Sequence, residues 1–147
     1  MRTTILVCGM MLALIAAALA EDGKAAYDHR LDTMKQMGRA LYVAIGRVAK
    51  GRTEFSADTV AAAETIERLA PRIDTLFPPG SDVPGSNMKP EILSAPDKVK
   101  QFAAGVQAAM PGFVADVKSG DKARIASAYT AMSRACDACH NDFRREE

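Results

Sequence analysis

The chain of 147 residues lacks tryptophan, and only 5% of its side chains are aromatic. Long runs of β-branched residues are also scarce, whereas alanine is abundant throughout. Aromatic and β-branched residues favour strands, and alanine favours helices. The composition therefore argues against a β-sandwich or a β-barrel and predicts a helical protein.

An excess of charge of one sign is also missing. The chain has 19 Lys and Arg against 18 Asp and Glu, which gives a formal net charge of +1. A nucleic-acid-binding domain usually carries a basic excess, so we expect no nucleic-acid partner. The 48% hydrophobic content argues against disorder. The length suits one domain with one core.

The first 20 residues have the pattern of a secretory signal. Arg2 precedes an almost unbroken apolar run from Ile5 to Leu19, and Ala18-Leu19-Ala20 has the small-x-small form that signal peptidase cleaves. The run is shorter than the roughly 20 residues that span a bilayer. We therefore predict cleavage after residue 20, a mature domain over 21–147, a periplasmic location and no membrane contact after cleavage. An uncleaved anchor is the alternative.

Apolar periodicity predicts four helices, over residues 24–50, from 56 to a kink or end at Pro71, over 95–118 and over 122–144. Ser56 or Asp58 can cap the second helix, and Asp121 can cap the fourth. Ser94 is expected to cap the third helix, and Pro111-Gly112 is expected to kink it. Prolines and glycines make residues 77–96 a long connection without regular structure. This order predicts an all-α, antiparallel four-helix bundle with a long loop between the second and third helices.

The first predicted helix carries a stripe that should face the core. Its members follow alternating steps of four and three residues: Tyr27, Leu31, Met34, Gly38, Leu41, Ile45 and Val48.

The chemistry of the sequence is concentrated near its end, where Cys136, Cys139 and His140 form a C-x-x-C-H motif. This motif is the signature of c-type haem attachment. Cysteines at positions i and i+3 lie about one helical turn apart, so two thioether bonds can reach the two vinyl groups of one haem. The histidine that follows then points its imidazole at the iron as the proximal ligand.

Three other functions of these residues have to be weighed. A redox-active C-x-x-C pair normally lies at a strand-to-helix junction, and no strand is predicted here. Structural zinc needs four ligands, and His29 is the only other histidine, which we interpret as a surface residue. A disulfide between Cys136 and Cys139 would span one turn of one helix and constrain almost nothing.

The run from Cys136 to Arg144 resembles the CxxCHxxFR ending of class II cytochromes c. This family contains cytochrome c′ and the low-spin cytochromes c-556. Four other segments are also similar to family motifs: residues 34–39, 48–51, 77–81 and 89–92. One departure is Leu93, which stands where tryptophan is common in the family. The resemblance implies an up-down-up-down bundle with one covalently bound haem c, containing iron, per chain.

The resemblance also implies a distal site on the first helix, four residues after a basic position. These positions are Arg30 and Met34. A thioether is a soft ligand suited to haem iron, which makes Met34 the expected distal ligand. The alternative is a methionine of the core, and Met37 is a neighbouring competitor that lies off the stripe. Met88 and Met132 are further alternatives, although Met132 shares a helix with His140 and cannot easily reach the opposite face of the haem. Arg30 and Arg144 are candidate partners of the haem propionates, with solvated arginines as the alternative.

These expectations lead to two functions. With methionine as the distal ligand, the protein is a periplasmic electron carrier and not an enzyme, and its redox partner proteins remain unidentified. With an open distal face, it is a five-coordinate protein of the cytochrome c′ type that binds nitric oxide or carbon monoxide. The resemblance allows either a monomer or a homodimer.

Overall fold

The computed structural model describes residues 22–145, and the predicted signal segment lies outside them. Four long helices make up the fold: α1 at residues 22–49, α2 at Ala57–Leu69, α3 at Pro96–Lys118 and α4 at Lys122–Phe143. Two short 3₁₀-helices, Ala70–Leu76 and Pro90–Ser94, flank the long loop at residues 77–89. No strand occurs between residues 22 and 145. The predicted all-α four-helix bundle is confirmed.

Short turns reverse the chain between α1 and α2 and between α3 and α4. Gly51 and Gly120 have φ angles of +66° and +68°, a left-handed conformation that favours glycine. Asp121 then caps α4, because its carboxylate accepts a hydrogen bond of 2.8 Å from the Arg124 backbone N–H. Ser56 occupies the N-cap position of α2, as predicted.

Proline has different effects in the two middle helices. The α-helical part of α2 ends at Leu69, and Pro71 lies in the first turn of the 3₁₀-helix that follows, which confirms the predicted end. Helix α3, in contrast, continues through the exposed Pro111.

Two expectations about the start of α3 and the segment before it are wrong. Ala95, not Ser94, is the N-cap of α3, and residues 90–94 form a 3₁₀-helix because the fixed φ of Pro90 suits a first helical turn.

The main core lies between the four helices and includes the fully buried Ile45, Ile66 and Ile125. A second, smaller core of Met88, Ile92, Val99 and Phe143 lies at the end of the bundle that the long loop covers. Leu93, at the position where the family commonly has tryptophan, packs against this second core.

Helix α1 contains a π-helical segment over Arg39–Ile45. This segment follows Gly38 and divides the predicted stripe into two parts. Leu41 and Ile45 within the segment, and Val48 after it, are buried in the core as expected. Before the segment, the buried residues are Gly23, Arg30, Thr33 and Met37, and the predicted stripe is only half-buried. The expectation that the whole stripe faces the core is therefore wrong for its first half.

Candidate haem site

The half-buried stripe of α1 lines a cleft whose opposite side is the end of α4. The cleft has a volume of about 530 Å³, within the range of cofactor pockets. Met34 and Gly38 line it from α1, and Cys139 and His140 line it from α4. A smaller cavity of about 60 Å³, lined by the same four residues, also reaches Cys136. The structure thus brings five of the six expected site residues to one cleft, since Arg30 and Arg144 line it as well, and Cys136 lies beside it.

Cys136 and Cys139 are half-buried free thiols with no disulfide between them. Burial, with the nearby Asp137 and Cys139, raises the pKa of the Cys136 thiol to about 11. Burial and Asp142 raise the pKa of Cys139 as well. A thiol–disulfide oxidoreductase needs a lowered thiol pKa, so these environments argue against that alternative.

His140 lies one turn beyond Cys136 and is half-buried at the cleft. Burial lowers the pKa of its imidazole, and the nearby Arg144 lowers it further, against a raising effect of Asp137. The imidazole is therefore neutral at pH 7, the state in which its nitrogen lone pair can bind a metal.

Between residues 22 and 145, no group of three or more His, Cys, Asp or Glu residues could hold a metal ion, so a zinc site lacks ligands.

Met34 and Met37 have different surroundings on α1. Met34 is half-buried and lines both the cleft and the smaller cavity. Met37 is 7% exposed, belongs to the main core and lines only the smaller cavity. The sequence stripe placed Met34 in the core and Met37 outside it, and the structure reverses this. Of these two methionines, only Met34 lines the larger cleft.

Gly38 keeps the wall of the cleft open. A Cβ atom added at this position would meet no other atom within 4 Å, and the glycine lines both cavities. The donor set of two thiols, a neutral imidazole and a thioether is that of a His/Met haem c site. These residues therefore fit covalently attached haem.

Arg30 is buried, and its guanidinium binds the long loop. Its Nη1 atom donates to Leu76 O at 3.2 Å and Ser81 Oγ at 3.0 Å, and its Nη2 atom donates to Ser81 O at 2.9 Å and Ser86 Oγ at 3.3 Å. The guanidinium also lies 5.5 Å from the centre of the Phe77 ring. Arg30 thus lines the cleft with its guanidinium hydrogen-bonded to residues 76–86, whereas Arg144 is exposed at the cleft. His29 is exposed, as expected for the surface residue that the sequence analysis proposed.

Residues that the sequence analysis did not select also line the cleft, and Tyr42 and Phe77 are two of them. Tyr42 lines both cavities, and its hydroxyl donates to Asp137 Oδ1 at 3.1 Å. Tyr42 reaches the cleft through the π-helical segment, which a regular helical period does not anticipate. Phe77 lines the cleft from the long loop, where no periodicity gives a signal. Met88, one of the alternatives to Met34 as distal ligand, also lines the cleft from this loop.

The sequence model of the family described as Cytochrome C′ matches residues 25–144. Cytochrome c-556 from Agrobacterium tumefaciens is 34% identical over 122 residues, covering 80% of this chain and 94% of the relative. Cytochrome c′ from Alcaligenes xylosoxydans xylosoxydans is 27% identical over 101 residues, covering 68% of this chain and 78% of the relative. The chain is a class II cytochrome c. Its cofactor is therefore covalently bound haem c with iron.

Solved structures of the class II family share this fold. A ferrous variant of cytochrome c prime from Alcaligenes xylosoxidans with bound NO has a TM-score of 0.72, with 23% identity, over 85% of this chain and 97% of its own. Another structure, described as cytochrome c′, has a TM-score of 0.73 with 24% identity, over 84% of this chain and 97% of its own. For the class II cytochrome c described here, these likenesses establish the four-helix bundle. None of its helices within residues 22–145 is long and apolar enough to cross a membrane.

Proposed function

We propose that the protein is a low-spin monohaem cytochrome that carries electrons, with His140 as the proximal ligand and Met34 as the distal ligand. Cys136 and Cys139 hold the haem through thioether bonds. One observation carries the proposal: Met34 and His140 line the same cleft from two different helices. Two axial ligands of one haem must approach the iron from opposite faces, and ligands on separate helices can do this.

The chemistry of the two ligands supports an electron carrier. When bound, the haem iron supplies a reversible one-electron change between its ferrous and ferric states. The neutral imidazole of His140 is ready to donate its lone pair, and the Met34 thioether favours the reduced state. Each ligand is carried by a long helix that packs in the bundle, so both can keep the same position in the two oxidation states. Little reorganisation then opposes the electron transfer.

The surroundings of the cleft fit the same function. Leu31, Ile92 and Phe143 contribute apolar walls, which suit the ring of the cofactor. Arg144 lies at the cleft with its side chain exposed, and we retain it as a propionate partner because arginine binds carboxylates with two parallel hydrogen bonds. We do not retain Arg30 in that role, since its guanidinium donates its hydrogen bonds to Leu76, Ser81 and Ser86.

The alternative is a five-coordinate protein that binds nitric oxide or carbon monoxide. The relative named cytochrome c′, at 27% identity, favours this function. The relatives named cytochrome c-556 are more similar, at 34% and 31% identity. Together with a methionine at the cleft, this difference supports the low-spin carrier.

We also propose a periplasmic location and redox partner proteins. The apolar segment before residue 21 is the export signal of a periplasmic protein. The protein exchanges electrons with redox partner proteins and catalyses no reaction of its own. The balanced charge fits a protein without a nucleic-acid partner, and either a monomer or a homodimer is consistent with the fold.

Substitution of Met34 by alanine tests the function. The reduced wild-type protein is expected to be low-spin and slow to take up carbon monoxide. Met34→Ala removes the thioether, so the iron becomes five-coordinate, carbon monoxide binds faster and the reduction potential falls. Visible absorption spectra, stopped-flow carbon monoxide binding and a redox titration measure these three changes.

Two other methionines serve as controls. Met110 is 6% exposed in the core and lines neither cavity, so Met110→Ala is expected to lose about 2–5 kcal/mol of stability without a change of spin state. Met37→Ala tests the neighbouring sulfur and is expected to keep the low-spin spectrum. A wild-type protein that is already high-spin and gas-reactive contradicts the proposal and supports the cytochrome c′ type.

A further inference from the structure

The last turn of α4, which begins with His140, has an unusual end. The helix stops at Phe143, and Arg144 follows with φ −101° and ψ 135°, an extended conformation without a glycine cap. The last four carbonyl groups of an α-helix have no donor within the regular helix. In α4 these carbonyls belong to residues 140–143, which include the proposed iron ligand. Their hydrogen-bond partners therefore determine how firmly that ligand is held.

Lys89 supplies donors to three of these carbonyls. Its Nζ atom donates to Asn141 O at 3.3 Å and to Asp142 O at 3.1 Å. Its backbone N–H donates to Phe143 O at 2.8 Å. The remaining carbonyl, of His140, accepts from the Arg144 N–H at 2.8 Å. A cation at the C-terminus also interacts favourably with the helix dipole.

Lys89 is itself held in place by its neighbours. Met88 forms an isolated antiparallel bridge with Arg144, and the Arg145 N–H donates to Asn87 O at 2.7 Å. Met88 is 4% exposed in the second core, and Pro90 begins the next 3₁₀-helix. The lysine therefore reaches the end of α4 from an ordered backbone, unlike a mobile surface lysine.

We propose that Lys89 is a positioning residue for the proximal ligand. By binding the carbonyls at residues 141–143, it fixes the last turn of α4 and with it the direction of the His140 imidazole. Lys89 does not touch the imidazole and acts only through the helix end. The inference rests on the proposed function in one respect, that His140 binds the iron.

Lys98 offers a matched control at the same helix end. Its Nζ atom lies 2.7 Å from Asp142 Oδ2 and 5.5 Å from the centre of the Phe143 ring. Lys98 thus has the same charge and contacts the same turn, but through side chains and not through carbonyls. A comparison of the two lysines separates a positioning effect from the loss of one positive charge near the haem.

The experiment records electron paramagnetic resonance spectra and reduction potentials of the ferric holoprotein. The line shape reports the spread of iron–imidazole geometries in either spin state, so the measurement remains valid if Met34 is not the distal ligand. The spin state of the wild type tests the proposed function, and the effect of Lys89 tests this inference. Lys89→Met is expected to broaden the lines or add a second set of g values, and to shift the potential more than Lys98→Met does.

Further substitutions test whether the effect of Lys89 can be rescued and whether Lys98 has the same effect. Lys89→Arg restores a cationic donor and is expected to return the wild-type line shape. Lys98→Met is expected to leave the line shape unchanged. Lys89→Gln, which keeps a shorter neutral donor, gives the second test if Lys89→Met does not mature. A wild-type line shape in Lys89→Met, or in Lys89→Gln where that variant replaces it, or equal broadening in Lys98→Met, would overturn the proposal.

Discussion

Arg30 joins the first helix to the long loop through a single buried side chain. The residue as a whole is 6% exposed. Its guanidinium donates four hydrogen bonds to oxygen atoms of residues 76–86. Buried charge is costly unless its donors are satisfied, and here neutral carbonyl and hydroxyl oxygens satisfy them. The loop that covers the cleft is therefore fastened to the helix that carries Met34, one turn before that methionine.

Replacement of this arginine is expected to weaken the fold. Arg30→Met keeps an apolar stem but leaves the carbonyls of Leu76 and Ser81 without their donor, which should lower the free energy of unfolding by about 3 kcal/mol. Arg39→Met, in the same helix but exposed, is the control and should change it little. Denaturant unfolding of the holoprotein measures both. Equal stabilities of the two variants would show that the contacts of Arg30 contribute nothing.

At the scale of single elements, the π-helical segment determines the course of α1. It begins after Gly38 and ends before Gly46, where the helix passes close to α4. A Cβ atom added at Gly46 would lie 3.0 Å from the Tyr129 ring and 3.2 Å from Leu41 O. The second contact is with backbone, which cannot move aside without distorting the π-helical segment. Glycine at this position therefore permits the close packing of α1 on α4.

Two glycine-to-alanine substitutions should have opposite effects. Alanine is favoured over glycine in a helix by about 0.5–1 kcal/mol. Gly105 is exposed in α3, and an added Cβ there meets nothing within 4 Å, so Gly105→Ala should stabilise by that amount. Gly46→Ala should destabilise, because overpacking typically costs about 1–3 kcal/mol. Thermal unfolding of both variants gives the signs, and a gain at Gly46 would contradict the argument.

At the scale of the molecule, packing and covalent attachment dominate over surface charge. The ion pairs found between described residues lie at the surface, such as the exposed pair of Lys24 with Asp28 and the pair of Arg124 with the half-buried Asp116. Exposed pairs contribute little to stability. The helices instead meet in the core and at the cleft, where a haem attached to α4 and bound by α1 would join the first helix to the last.

A mass measurement tests the molecule as a whole. Protein purified from the periplasm is expected to have the mass of residues 21–147 plus one haem, retained under denaturing conditions because the thioether bonds are covalent. The double variant that combines Cys136→Ser and Cys139→Ser should retain no haem under the same denaturing conditions. Two free thiols in well-assembled wild-type protein, or a mass that includes the first 20 residues, would contradict the prediction.

The amino-acid sequence alone determined the fold class and the chemistry of the cofactor. Helical periodicity and the caps at Ser56 and Asp121 are local properties, so they predicted the helices with small errors at the ends. The motif of Cys136, Cys139 and His140 is contained in five consecutive residues, and one helical turn fixes its geometry. The family match confirms the class II cytochrome c that this motif indicated.

Only the tertiary structure decided which methionine of α1 reaches the cleft and what holds its surroundings. A regular period across α1 places Met34 in the core, but the π-helical segment and the approach of α4 leave it at the cleft and bury Met37. The partners of Arg30 and Lys89 are about 50 residues away along the chain. No local pattern encodes such contacts, because they arise only when the long loop folds over the end of the bundle and its polar groups must find hydrogen-bond partners.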